Sequence, residues 1–208
     1  MDNAPYEILG NDVMSFSDIV RLKRLEDVLE KYWNDHRMDH TVEYLITSEF
    51  DSPFDFFQEF GDFWEERGWQ RIGHQLEDLF SRLNDFLSER GLQNPDIVLG
   101  LMKLDYFLGH KYKPRKVWWE ERMSKDRRSG YFKALAEGKF HLPFNYSLDD
   151  RELQKFAMVE EIPFTLTEGI ELQPGSSLLV VLYQQEENER PVYCSIPLSV
   201  KGDAVPTN

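Results

Sequence analysis

Two histidines four residues apart, His36 and His40, are the first side chains in this 208-residue chain whose spacing allows metal chemistry. On a helix such a pair would lie on one face, and the carboxylate of Asp39 beside them is a further possible ligand. The surrounding residues 34–39 are polar and typical of a loop, and no third ligand follows at a fixed spacing. We therefore interpret the pair as exposed loop histidines, with Asp39 capping a short helix, and predict no metal site.

A basic segment, residues 111–133, is the second candidate for a functional site. It carries nine Lys or Arg against three Asp or Glu, in a chain whose formal net charge is -14. Interleaved aromatic residues make the pattern typical of a surface that contacts phosphates or stacks on bases. The alternative, which we favour, is a solvated connection that docks on acidic residues of this chain or of a neighbouring domain, with its tryptophans packed inward. The candidate interaction residues are Lys111, Lys113, Arg115, Lys116, Trp118, Trp119, Arg127 and Arg128.

Neither the carboxylates nor the single cysteine predicts catalysis. Acidic residues occur as adjacent pairs such as Glu160 and Glu161, and neighbouring side chains on a strand diverge, so we expect solvated faces. Cys194 is the only cysteine, so this chain alone cannot build a disulfide, a thiolate zinc site or a cysteine-ligated iron–sulfur cluster. Its predicted strand position favours a small buried side chain. The sequence has no phosphate-binding glycine loop, nucleophile elbow or zinc-protease helix, and no catalytic or cofactor-binding residue is predicted.

The composition is that of a folded protein. Hydrophobic residues make up 41% of the chain and charged residues 30%, and an aromatic share of 14% supplies bulky core material. The strong negative charge argues against a broad contact with nucleic acid or with an anionic membrane. No apolar run reaches the roughly 18 residues that a bilayer span needs, and the N-terminus lacks a signal-peptide pattern. We expect a soluble, cytoplasmic protein without a membrane partner.

Helix signals dominate residues 15–145 and predict an antiparallel helical bundle. The first helix begins at a capping box, Ser15 with Asp18, and ends near Trp33. Later helices are predicted at residues 39–46, from Ser52 to about residue 67, at 76–87 before Gly91, at 95–108 and at 131–136.

Beyond residue 145 the pattern becomes extended and predicts a small antiparallel β-meander, residues 146–200, before a flexible tail, residues 201–208. Strands are expected at residues 156–166, 177–183 and 192–200, with turns at residues 168–169 and 174–175. Pro163 and Pro197 belong on edge strands or at bulges, so residues 177–183 form the predicted middle strand. The predicted fold class is α+β.

The opening of the chain has the pattern of a junction. Residues 6–9 form a short extended run that stops at a turn, residues 10–12, before the strongly capped first helix. A lone strand needs a pairing partner, so we interpret residues 1–14 as a linker from a missing upstream domain.

This junction carries a resemblance to a known group of enzymes. The residues that carry it are Pro5-Tyr6-Glu7-Ile8-Leu9, Met14-Ser15-Phe16, Ile19, Leu22-Lys23-Arg24, Glu26 and Tyr32, with Leu104-Asp105-Tyr106 and Lys113-Pro114-Arg115 later in the chain. The chain resembles the C-terminal domain of unknown function in bacterial radical S-adenosylmethionine (SAM) proteins that carry a cobalamin-binding domain, grouped with magnesium-protoporphyrin cyclases and phosphonate methylases.

The resemblance implies an accessory domain that caps or supports the catalytic barrel and has no catalysis of its own. The iron–sulfur cluster, SAM and cobalamin would belong to the radical SAM barrel and cobalamin-binding domain upstream in the same polypeptide, because the family's cluster needs three cysteines. The alternative hypothesis is a stand-alone acidic interaction protein that uses residues 111–133 to bind an acidic partner or nucleic acid.

Overall fold

Helices come first and a three-stranded antiparallel sheet follows in the computed structural model, which describes residues 14–144, 146–167, 172–183 and 190–198. This order confirms the predicted α+β class. The chain divides into two compact units, Met1–His74 and Gln75–Asn208. The sequence placed the division near residue 145, whereas the observed units keep the later helices together with the sheet. The predicted junction strand, residues 6–9, and the predicted tail, residues 201–208, lie outside the described residues.

The described part of the first unit contains three α-helices, of which the first and the third begin at the predicted capping residues, Ser15 and Ser52. They are α1, Phe16–Leu29, α2, Asp39–Tyr44, and α3, Pro53–Glu66; α1 and α2 each continue into one π-helical turn, Glu30–Asn34 and Leu45–Glu49. The Ser15 hydroxyl accepts from the Asp18 amide at 3.2 Å, and the Asp18 carboxylate accepts from the Ser15 amide at 3.0 Å. The predicted capping box is therefore confirmed. The predicted cap at Asp39 is wrong by one residue, because Met38 occupies the N-cap and Asp39 lies in the first turn.

The core of this unit is a cluster of aromatic rings between α1 and α3. Tyr32, Phe60 and Trp64 are buried and meet edge to face, with ring centroids 4.8 to 5.8 Å apart. The two helices approach closely at Gly61, where an added Cβ would lie 3.0 Å from the backbone carbonyl of Arg24. Packing here thus depends on shape as well as on buried apolar area.

The second unit begins with two of the predicted helices, followed by two that differ from the prediction. Its helices are α4, Leu76–Arg90, α5, Pro95–Leu108, α6, Lys125–Ala136, and α7, Asp150–Phe156. As predicted, α4 ends at Gly91, which has a positive φ of 80°. The start of α6 lies six residues before the predicted residue 131, because Ser124 caps it by accepting from the Arg127 amide at 3.2 Å.

Helix α7 is absent from the prediction, which assigned residues beyond 145 to strands. It begins with a reciprocal capping box in which Asp149 accepts from the Glu152 amide at 2.9 Å and Glu152 accepts from the Asp149 amide at 3.0 Å. Two satisfied backbone donors make even a seven-residue helix favourable at this position.

Three strands then form the sheet, in the order β1, Ala157–Leu166, β2, Leu172–Leu182, and β3, Val192–Pro197. The predicted middle strand is confirmed, and the register of β1 shifts at Pro163, between Ile162 and Phe164. The predicted turn at residues 174–175 is wrong: β2 already begins at Leu172, and Pro174 pairs with Phe164. A strand can include this proline because the ladder is irregular there.

Both faces of the sheet are covered within this unit. Helix α5 packs on one face of β1, while α6 and α7 cover the other through a cluster that includes Tyr131, Leu153, Val159 and Val180. Burial on both faces explains why residues 178–182 are continuously apolar and buried instead of alternating with polar residues. In the described residues, no helix is long and apolar enough to cross a membrane.

Candidate functional site

A cleft of about 490 Å³ lies along the edge strand β1 in the second unit. The N-terminal half of α5 supplies one side, the start of α6 and the residues before it supply another, and the beginning of β2 adds a third. Its lining residues are Asp96, Leu99, Gly100, Lys103, Arg122, Met123, Arg127, Glu160, Glu161, Ile162, Pro163, Gly175 and Ser176. This volume falls within the range of about 300–1,000 Å³ that is usual for small-molecule sites.

The floor of the cleft contains a buried ion pair. Lys103 Nζ donates to Glu160 Oε1 at 2.5 Å, and only 8% and 6% of the two side chains are exposed. The ammonium also lies 5.3 Å from the centre of the Trp119 ring, a cation–π contact. Removing two charges from water is costly, and the attraction between them only partly offsets that cost. A pair retained here is therefore a candidate for function rather than for stability.

The sequence interpretation missed both members of this pair. Lys103 is the only charged residue between Val98 and Leu104, a run that is otherwise apolar or glycine, and an isolated charge in such a helix is the signal that could have identified it. For Glu160 the expectation of a solvated carboxylate is wrong. The adjacent side chains Glu160 and Glu161 do diverge, as predicted, but each finds a protein partner on its own side of β1.

A second charged group lies at the rim, where two side chains converge on Glu161. Its Oε1 accepts from Arg127 Nε at 2.5 Å and from the Tyr131 hydroxyl at 2.7 Å. A hydrogen bond with Tyr131, together with the charge of Glu161, raises the pKa of Arg127. Burial and the hydrogen bond to Glu161 raise the pKa of Tyr131. Arg127 thus stays charged and Tyr131 stays neutral across the physiological range.

Two further charged side chains, Asp96 and Arg122, line the cleft. Asp96 lies in the first turn of α5 and Arg122 precedes α6; both side chains are exposed. Neither forms a hydrogen bond or an ion pair with any residue in the described part of the chain. One cation and one anion are therefore available to a ligand.

Several candidate residues of the basic segment contact other residues of the second unit. Lys113 Nζ donates to the Gln154 carbonyl at 2.6 Å, and desolvation, with the nearby charge of Arg128, lowers the pKa of that lysine. Arg128 pairs with Glu121 at 3.1 Å. With Arg127 held by Glu161, three of the candidate cations have partners in the same unit.

The two tryptophans of the segment pack against the helices behind them. Trp118 stacks on Phe80 of α4 at 5.9 Å, and Trp119 meets Tyr106 and Phe107 of α5 edge to face. Both rings are half-buried, which matches the alternative in which they pack inward.

The remaining candidates are at the surface. Lys111 and Arg115 are exposed, and Lys111 lies over the Tyr112 ring at 5.4 Å. Lys116 has an exposed side chain, while its backbone carbonyl accepts from the Tyr106 hydroxyl at 3.0 Å. Of the eight residues named from the sequence, only Arg127 lines the cleft.

The histidine pair does not form a common site. His36 is 76% exposed and its Nδ1 lies 3.2 Å from the Asp39 carboxylate, whereas His40 is half-buried within α2 and is not a loop residue. In the described residues, no group of three His, Cys, Asp or Glu is arranged to hold a metal. Cys194 is partly buried in β3, and burial raises the pKa of its thiol to about 12, so the reactive thiolate is disfavoured.

Comparison with known proteins identifies the family but no activity. No curated protein and no solved structure gives a significant match to the chain. Residues 1–182 match a family model described as Protein of unknown function (DUF4080), and this range includes every residue that lines the cleft. The chain therefore belongs to the family described as Protein of unknown function (DUF4080).

Proposed function

We propose that this chain is an accessory domain of a cobalamin-dependent radical SAM enzyme, which caps or supports the catalytic barrel and performs no catalysis of its own. The resemblance of the junction block, residues 5–32, supports this assignment, and membership of an uncharacterised family is compatible with it. In this proposal the partners are the barrel and the cobalamin-binding domain of the same polypeptide.

The observation that carries the proposal is the exposure of two large apolar side chains on α1, the helix inside the junction block. Phe16 is 59% exposed and Leu22 is 42% exposed, and only Val28 of this helix is buried. Of the five large hydrophobic residues that are exposed in the described chain, four belong to the first unit. Exposed apolar side chains concentrated on one part of a protein are typical of a contact surface.

The residues present here do not fit the cofactors of the parent enzyme. A radical SAM cluster requires three cysteine thiolates, and this chain supplies one, whose raised pKa opposes ligation. We therefore derive no chemical step in this chain from the iron–sulfur cluster, SAM or cobalamin. The contribution of the domain is contact and positioning.

The alternative, binding of nucleic acid or an acidic partner by residues 111–133, receives less support. Three of its candidate cations already contact the protein's own oxygen atoms, and both tryptophans pack on α4 or α5. A stacking surface for bases needs exposed ring faces and unpaired cations.

The reading frame and its product test the proposed function. We expect the native frame to encode a cobalamin-binding domain and a three-cysteine motif before residue 1, and the full product to cleave SAM after iron–sulfur reconstitution. This chain alone should not cleave SAM under the same conditions. Cleavage by this chain alone, or a native frame without the three-cysteine motif, would contradict the proposal.

Variants of α1 test the contact itself in the full-length product. Replacing Phe16 and Leu22 together with serine should release the domain from the barrel, detected as faster proteolytic separation of the two parts. Replacing the exposed residues Arg21 and Glu26 of the same helix with serine is the matched control and should leave the proteolysis rate unchanged. Equal proteolysis rates in the two double variants would refute a contact through the apolar residues of α1.

A further inference from the structure

The cleft along β1 has balanced charges, in contrast to the strongly acidic chain around it. Its lining includes three cations, Lys103, Arg122 and Arg127, and three anions, Asp96, Glu160 and Glu161. Four of these charges are paired within the protein, Lys103 with Glu160 and Arg127 with Glu161. Binding of a ligand therefore need not break either pair.

The two charges left over, Arg122 and Asp96, have opposite signs and line the same cleft. A guanidinium recognises a carboxylate or another oxyanion through paired N–H donors, and a carboxylate accepts from an ammonium group. The same lining includes apolar side chains, Leu99, Met123 and Ile162. A molecule with one group of each sign and a short apolar body is complementary to this arrangement.

We propose that this cleft binds a small zwitterion, with its anionic group on Arg122 and its cationic group on Asp96. A phosphate or a dicarboxylate is a poorer match, because the second charge left over in the cleft, Asp96, is itself negative. The site does not depend on the proposed accessory role, since all of these groups belong to this chain.

A ligand panel tests the assignment directly. The probes are the free L-α-amino acids and the ω-amino acids from β-alanine to 6-aminohexanoate. Their binding to the full chain is measured by saturation-transfer NMR and by titration. We expect saturable binding of at least one zwitterion, and at least a roughly tenfold weaker affinity for its matched carboxylic acid and its matched amine, since each lacks one charge contact. Saturable binding of inorganic phosphate or of the carboxylic acid with equal affinity would overturn the proposal, as would no binding by any member of the panel.

Two variants separate the roles of the charges from simple loss of structure. Arg122→Gln should bind the zwitterion and its matched amine with similar affinity, because the carboxylate no longer finds its partner. Asp96→Asn should bind the zwitterion and its matched carboxylic acid alike. The controls Arg115→Gln and Asp85→Asn remove the same charges from exposed residues outside the cleft lining, and they should retain wild-type affinity and discrimination. If both cleft variants still prefer the zwitterion over its matched amine and its matched carboxylic acid as strongly as the wild type does, the assignment is refuted.

Discussion

The two compact units illustrate two kinds of buried contact, an aromatic cluster in the first and an ion pair in the second. In the first, Tyr32, Phe60 and Trp64 form edge-to-face ring contacts, which contribute to stability through buried apolar area and ring geometry. In the second, Lys103 and Glu160 form an ion pair with at most 8% of either side chain exposed. Ring packing stabilises a fold directly, whereas a buried ion pair is often no better than apolar residues of similar size. The difference indicates that the second unit retains a charged group which stability alone does not favour.

The largest expected effect comes from breaking that pair. Lys103→Met should lower the free energy of unfolding by about 3–5 kcal/mol, because Glu160 is left as a buried, unpartnered charge. The double variant Lys103→Met with Glu160→Met should recover most of this loss, since no buried charge remains. Urea denaturation of the wild type, both single variants and the double variant measures all four values. A double variant no more stable than the single variants would show that the pair itself stabilises the unit.

The ion pair is also a feature that local sequence signals could not predict. Local signals were sufficient for the helix starts at Ser15 and Ser52 and for the middle position of β2, because caps and proline exclusions act within a few residues. Lys103 and Glu160 are 57 residues apart, and no local periodicity specifies which helix will cover which face of a strand. The cleft was missed for the same reason, since its lining comes from four separate parts of the chain.

Helix α7 was missed for a different reason. Its signal was local and present, because Asp149 and Glu152 have the spacing of a capping box. The apolar, β-branched character of the residues that follow favoured an extended interpretation of the whole region. A strong start signal before a strand-like run should therefore have been read as a helix that leads into a strand.

Substitutions at two glycines test whether close packing contributes equally to the stability of both units. An added Cβ would lie 3.0 Å from the Arg24 backbone at Gly61 and 2.7 Å from the ring of buried Phe164 at Gly100. Each Gly→Ala substitution should lower the free energy of unfolding by about 1–3 kcal/mol, even though alanine favours helices, because the neighbours must move. Gly73→Ala, with no atom within 4 Å of the new Cβ, is the control and should change stability little. A stable Gly100→Ala protein would show that α5 packs more loosely on β1 than α3 packs on α1.

An intermediate effect is expected at alkaline pH in the second unit. Burial, together with the charge of Glu77, raises the pKa of Tyr106 to about 12, from an ordinary value of 10.0. Because the folded pKa is the higher one, this stabilisation is fully present below pH 10 and is lost as the pH rises toward 12. Tyr106→Phe should cost about 1 kcal/mol at neutral pH through the lost bond to the Lys116 carbonyl, and should weaken the decline in stability above pH 10.

Urea denaturation at a series of pH values measures this difference, with the exposed Tyr112→Phe as the control. An alkaline decline in Tyr106→Phe as steep as that of the wild type would mean that other buried tyrosines, such as Tyr183, carry the effect; burial raises the pKa of that residue as well.

The smallest expected effect concerns the surface pairs of the basic segment, which provide the contrast to the buried pair. Arg128 and Glu121 are 3.1 Å apart, and 22% and 45% of their side chains are exposed, so water and salt screen their attraction. A double-mutant cycle of Arg128→Gln and Glu121→Gln should give a coupling energy below about 1 kcal/mol. The same ion pairs bear on the binding hypothesis, because cations engaged with the protein's own carboxylates are poorly available to phosphates. We therefore expect no steeply salt-dependent binding of single-stranded oligonucleotides by the wild type. Binding that is strong at low salt and abolished by Arg127→Ala with Arg128→Ala would show that these pairs open for a polyanion, and the basic segment would then be an interaction surface after all.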